Sequence, residues 1–135
     1  MKVAISATGR SLDSQIDPRF GRCPYFLIVE TETMAVETVP NGAVGTAHGA
    51  GIQAAQLVAS MGVKAVLTGN VGPNAYSALS ASGINVLIGV SGTVAEALER
   101  FKRGELSTTS SPTVGGHFGT GGRGGGRGGG RRQRF

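Results

Sequence analysis

Hydrophobic and polar positions change rhythm once along this chain, near residue 40. Before it, runs at 2–7, 25–31 and 35–39 have the length and β-branched content of strands, the last two joined by a turn around Glu32 and Thr33. Beyond it, strand-like and helix-like runs alternate. Residues 51–61 put Ala54, Leu57, Val58 and Met61 on one helical face and stop at Gly62, where a helix end favours a left-handed residue. A buried strand is predicted over 63–68. Gly72 and Pro73 then open a second helix, with Pro73 suited to the first helical position, and Gly83 closes it before a strand over 84–88. Thr93 and Glu96 have the spacing of a capping box for a last helix, in which Val94, Ala97, Leu98 and Phe101 recur at i, i+3, i+4 and i+7 before Gly104. A short-stranded meander followed by βα units predicts an α/β domain with a mixed sheet covered by helices.

Two segments break this regularity. Residues 8–24 form a polar connection holding Arg10, Asp13, Asp17, Arg19, Arg22 and Cys23, too long for an ordinary structureless loop and therefore a place to look for function. At the far end, 119–135 carries Arg123, Arg127, Arg131, Arg132 and Arg134 and no acid. The chain has 13 basic and 8 acidic residues, so these five arginines account for the whole net charge of +5 and the rest of the chain is neutral. So glycine-rich a segment cannot offset an ordering cost of roughly 1–2 kcal/mol per residue. A folded domain over 1–106, a linker over 107–118 and a disordered cationic tail over 119–135 are expected, the tail to meet something negative. No apolar run approaches the ~20 residues of a membrane helix, and the apolar start is too short for a secretory signal, so no membrane contact and a cytoplasmic location are expected. Cys23 is the single cysteine, which excludes an internal disulfide and a cluster held by four cysteines of one chain.

Candidate chemistry lies in two glycine-containing turns. Thr46 to Gly51 leads into the first helix, where small residues let an anion approach free N–H groups at the positive end of the helix dipole, with His48 at the mouth. Thr68 to Asn74 is a strand-to-helix turn at the carboxyl end of a parallel strand, the usual ligand edge of an open α/β sheet. Each turn also has a plainer reading, in which its glycines serve only tight turns and caps. Neither has the Walker A or full GxGxxG spacing, so nucleotide binding finds no support.

Taken together, DPRFGRCPYF (17–26), AHGAGIQAAQ (47–56), LTGNVGPNA (67–75) and GTVAEA (92–97) resemble the dinitrogenase iron-molybdenum cofactor biosynthesis family, the domain of NifX and of the NifB C-terminus. The resemblance covers about residues 1–118. It implies a three-layer α/β/α, ribonuclease-H-like fold with a five-stranded mixed sheet. It also implies binding or carriage of metal-sulfur clusters, as in the orange proteins with their molybdenum-copper sulfide cluster. The domain followed by a cationic glycine-rich tail looks most like the iron-sulfur storage branch of the IssA type.

A sulfide-rich cluster brings its own ligands and a negative charge, so its carrier needs cations and N–H donors more than thiolates. Arg19, Arg22, His48, Gly49, Gly51, Gly69, Asn70, Gly72 and Asn74 are the expected cofactor-binding residues. Cys23 joins them as a candidate thiolate, favoured by Arg19 and Arg22 if they are near in space, against the plainer reading of a small packing residue. Asp17 and Arg19 have a plainer reading too, an ion pair that pins their loop. Cys23 and His48 are the candidate metal ligands, and His117 is a third, although Phe118 follows it where the family is often His-rich.

The expected function is non-enzymatic binding, carriage or storage of an anionic iron-sulfur or molybdenum-containing cluster, held largely by non-covalent contacts. A cluster donor or acceptor protein is a further expected partner, with assembly through the tail arginines. The alternative is an RNA-binding module, since Arg-Gly tails meet phosphates and stack on bases. With Phe118 and Phe135 as its aromatics, the tail offers a thin stacking platform. A two-metal nuclease would need clustered carboxylates, and here they are scattered.

Overall fold

The computed structural model describes residues 1–42, 49–106 and 108–109. The expected linker, apart from Thr108 and Thr109, and the expected disordered tail lie outside the described residues.

The first half builds β1 (Lys2–Ala7), a 3-10 turn (Phe20–Arg22), β2 (Tyr25–Glu30) and β3 (Val36–Pro40). The second half adds α1 (Ala50–Ser60), β4 (Ala65–Leu67), α2 (Pro73–Ala81), β5 (Asn85–Leu87) and α3 (Val94–Lys102). The sheet runs in the order β3-β2-β1-β4-β5. Its first two pairings are antiparallel, while β1 pairs with β4, and β4 with β5, in parallel, α2 making the crossover from β4 to β5.

Alternation along the strands divides the core between the two faces of the sheet. Ala4, Phe26, Ile28, Val66 and Val86 face α1 and α2, meeting Ala54, Ala55 and Val58 of α1 and Ala75 and Leu79 of α2. Val3, Ile5, Leu27, Val29, Ala65 and Leu67 face α3, meeting its Val94, Ala97 and Leu98. The result is a three-layer α/β/α arrangement around a mixed five-stranded sheet.

β4 and β5 are shorter than the apolar runs that announce them. The reason is pairing rather than burial: Val63 and Ile84 are buried yet stand just before the ladder begins. Single bonds continue the ladder beyond each end, from Lys64 N–H to the Lys2 carbonyl at 2.8 Å and from Thr68 N–H to the Leu87 carbonyl at 3.0 Å. After α3 the chain returns to the free side of β5. There Thr108 bridges Leu87 in antiparallel sense and the Thr109 N–H reaches the Val86 carbonyl at 2.8 Å. Among the described residues no helix is long and apolar enough to cross a membrane.

The capping box at the start of α3 forms as its spacing predicts. Thr93 Oγ1 accepts the Glu96 N–H at 3.1 Å, and Glu96 Oε1 accepts the Thr93 N–H at 2.9 Å. Thr93→Ala removes the first acceptor, with an expected cost of about 1 kcal/mol and a fall in melting temperature of roughly 4–8 °C, to be checked by thermal unfolding followed by circular dichroism.

Candidate functional site: a cavity between two helix N-termini

The connection 8–24 is not a loose loop. It is laced across the carboxyl ends of β1 and β4, with Asp17 N–H donating to the Ser6 carbonyl at 2.9 Å and Ile16 N–H to the Gly92 carbonyl at 2.8 Å. Below it, Ser6 Oγ donates to the Asp17 carbonyl at 2.7 Å and lies 2.7 Å from Thr68 Oγ1. The turn after β4 accepts the connection as a short parallel partner. Asn70 N–H donates to the Pro18 carbonyl at 2.8 Å, and Arg19 bridges Asn70. Such an approach requires glycine at 69, because a Cβ there would stand 2.7 Å from Pro18 Cα.

The 3-10 turn then settles against the start of α1. A Cβ on Gly21 would lie 3.0 Å from Gly51 Cα, and one on Gly51 would lie 3.1 Å from Ala75 Cβ on α2. Turn, α1 and α2 thus meet at their small residues and leave a cavity of about 390 Å³. Arg19, Arg22, Gly51, Asn70, Gly72 and Asn74 line it, together with Phe20, Gly21, Pro73 and Ala75.

Both helices turn their positive ends towards this cavity, and neither is capped by a side chain. Their N-cap residues are Gly49 and Gly72, and Pro73 holds the first position of α2. The N–H groups of a first helical turn have no partner within the helix, so these two ends are sources of positive potential and of unspent donors. α3, whose N-terminus does not line the cavity, is fully capped. Arg19 adds a guanidinium that is held in place. Its Nη2 lies 3.2 Å from Asp17 Oδ2, and that hydrogen bond, with the charge behind it, raises the Arg19 pKa above its ordinary value. The ion pair weighed as a loop pin is therefore present, and it also orients a cavity-lining cation.

The remaining expected residues fall elsewhere. Gly49 precedes the lining at the α1 N-cap, with a positive φ of 77°. Gly69 supports the cavity from behind, through Pro18. Cys23 needs a correction. Its thiol is fully buried in the core against the helix-facing side of the sheet, where it donates to the Phe20 carbonyl at 3.3 Å and does not line the cavity. Burial pushes the thiol up to about 12, with the Asp17 charge adding to the effect. Arg19 and Arg22 are close in sequence but exposed, and desolvation of the buried sulfur keeps the group a thiol at neutral pH rather than a thiolate. Among the described residues no three of His, Cys, Asp and Glu converge into a metal site. His48, His117 and the tail residues Arg123, Arg127, Arg131, Arg132 and Arg134 lie outside the described residues.

Sequence reasoning missed Phe20, Gly21 and Ala75 as lining, and Asn41 as a brace. Asn41 Nδ2 donates to the carbonyls of Gly21 at 3.2 Å and Cys23 at 2.8 Å, which fixes the 3-10 turn from the β3 side. A signal for Gly21 was present, since it stands between two candidate arginines in a loop that must pack closely. Nothing local marks Asn41.

Comparison with known proteins agrees with this architecture. Residues 1–104 match the family described as dinitrogenase iron-molybdenum cofactor. An uncharacterized protein of Methanocaldococcus jannaschii is 36% identical over 110 residues, spanning 78% of this chain and 93% of its own. The apo form of the orange protein from Desulfovibrio gigas superposes with a TM-score of 0.82 at 43% identity, over 84% of this chain and 96% of that one. A Thermotoga protein provisionally named NifB gives 0.74 at 39% identity, over 84% and 97%.

The environment of Cys23 sets a pH dependence. A thiol with an ordinary value of 9.0 that is held near 12 in the fold stabilises the native state fully below about pH 9. That contribution is lost as pH rises from 9 towards 12, because the unfolded chain releases the proton first. Denaturant unfolding of wild type and Cys23→Ala at pH 8 and pH 10.5 should show the wild type losing more stability across the interval. At pH 8 the native thiol should resist a disulfide reagent that modifies the denatured chain at once.

Proposed function

The chain belongs to the dinitrogenase iron-molybdenum cofactor family, and we propose that it binds and carries an anionic metal-sulfur cluster in the cavity between α1 and α2, as cargo and without turnover. One observation carries this reading: two glycine-capped helix N-termini and two arginines converge on one cavity of about 390 Å³. Sulfide in a cluster is a soft, diffuse acceptor, so it is gripped by several donors at once rather than by one strong bond. Arg19, Arg22 and the first-turn N–H groups would supply those donors, and Phe20, Pro73 and Ala75 would supply apolar walls. The donor set suits a cluster that keeps its own sulfide ligands, since the thiol of Cys23 is protonated and points into the core. Likeness to the apo orange protein supports the proposal at the level of architecture.

The finer reading concerns the tail. Its five arginines extend the same chemistry beyond the domain, towards further cluster molecules or larger iron-sulfide material, in the manner of a store. Transfer to and from donor or acceptor proteins belongs to the same proposal.

The test is purification without oxygen, followed by metal and acid-labile sulfide analysis and an absorption spectrum. Reconstitution with tetrathiomolybdate, or with ferrous iron and sulfide, should give visible charge-transfer bands. Arg22→Gln should weaken binding by about tenfold, as expected for one charge-assisted contact. Deleting 119–135 should leave small-cluster binding intact and change assembly. A protein that stays colourless under all of these conditions overturns the proposal.

A further inference from the structure

The loop beside the cavity contains a charge that its fold does not require. Asp17 is 2% exposed. Its Oδ1 accepts the Arg19 backbone N–H at 2.9 Å and Arg19 Nε at 3.2 Å, while Oδ2 accepts Nη2 at 3.2 Å. The backbone bond alone would be served equally well by asparagine, whose carbonyl accepts the same N–H without taking a charge out of water. Burying a carboxylate is costly, and a partner whose side chain is 65% exposed repays only part of it, because water screens the exposed end. As a stabilising device the pair is poor. As a socket it works well: a fixed buried anion grips one edge of a guanidinium and leaves the other edge for a ligand.

The same carboxylate alters the charge of the site. Arg19 and Arg22 are cations of the lining, and Asp17, paired with Arg19, lowers the positive side-chain charge there by one unit. The backbone around the pair is fixed as well, since Pro18, Arg19 and Phe20 are tied to Asn70. The buried carboxylate therefore stays at one place beside the cavity.

We infer that Asp17 is a positioning residue that fixes Arg19 at the cavity and lowers the positive side-chain charge of the site by one unit, so that the site selects metal-sulfur anions of low charge. This rests on the cluster-binding reading of the cavity. Selection follows from how two opposing energies scale. The cost of desolvating an anion grows with the square of its charge, whereas attraction to a fixed site grows only in proportion to it. A site of small positive charge thus favours a small negative charge, and removing Asp17 moves the optimum towards higher charge.

Tetrathioperrhenate, tetrathiomolybdate and tetrathiovanadate provide the measurement. They are tetrahedral thiometallates of similar size with one, two and three negative charges. Their dissociation constants would be measured in anaerobic sulfide buffer with the full-length wild type, Asp17→Asn, Arg19→Gln and the double variant. The tail is common to all four proteins, so ratios between them isolate the cavity. Asp17→Asn should improve binding of the trianion relative to the monoanion by about tenfold. Arg19→Gln should shift the ratio the other way by a similar factor. The double variant, with the wild-type net charge, should return to the wild-type ranking while binding all three anions more weakly. A ranking unchanged in Asp17→Asn, with uniform weakening, overturns the inference and leaves the cavity reading standing. If Asp17→Asn does not melt as a folded protein, Arg19→Gln against the double variant decides, because the double replaces an ion pair by neutral isosteres. Equal rankings in those two likewise overturn the inference. A wild type that binds none of the three anions overturns the cavity reading and the inference with it.

Discussion

Main chain approaches main chain at this edge of the sheet more closely than side chains would permit, and the geometry of the site depends on that approach. Pro18 lies against Gly69, and the 3-10 turn lies against Gly51, which in turn touches Ala75. These contacts bring the start of α1, the start of α2 and the connection after β1 to one point, although the three are far apart in the chain. The parallel pairing of β1 with β4 makes it possible, since it puts the carboxyl ends of both strands on the same side. Hydrogen bonds from Asp17 to Ser6 and from Asn70 to Pro18 then lock the arrangement.

Electrostatics at the site follow from the same economy of side chains. A glycine at an N-cap costs only a few tenths of a kcal/mol relative to serine or threonine, so leaving α1 and α2 without side-chain caps weakens the fold little. It leaves first-turn donors available at the cavity. The capped α3 shows that this sequence does supply a capping box where a helix end has only structural work. Cys23 fits the pattern from the other direction. Held as a thiol beneath the turn, it adds no negative charge under a site that is built from positive ones.

Much of the architecture was legible because its signals are local and repeated. Gly62, Gly83 and Gly104 marked helix ends, Pro73 marked a start, and Thr93 with Glu96 spelled out a cap. The turn after β4 was legible for a topological reason, since a glycine-containing turn at the carboxyl end of a parallel strand is placed by the sheet itself. It contributes Asn70, Gly72 and Asn74 to the lining, where Arg19 and Arg22 of the connection and Gly51 of α1 join them. The environment of Cys23 was not legible. Arginines nearby in sequence argued for a thiolate, but the turn Phe20–Arg22 carries those side chains outward while folding the Phe20 carbonyl over the sulfur. Burial is a property of that turn's path, and the turn is braced by Asn41, a residue distant in sequence. The exact ends of β4 and β5 were hidden for a similar reason, because they depend on partner strands rather than on hydrophobicity.

The glycine-lined contact of turn, α1 and α2 bears on how such a protein records its function. Truncating side chains to alanine is the common way to find working residues, and it finds them by subtraction. Where the grip is made by peptide N–H groups beside glycines, there is nothing to subtract, and alanine at Gly21 or Gly51 is an addition that crowds its neighbour. The informative perturbation is the methyl group put in, and residues that look featureless in a truncation survey are the ones that shape the space.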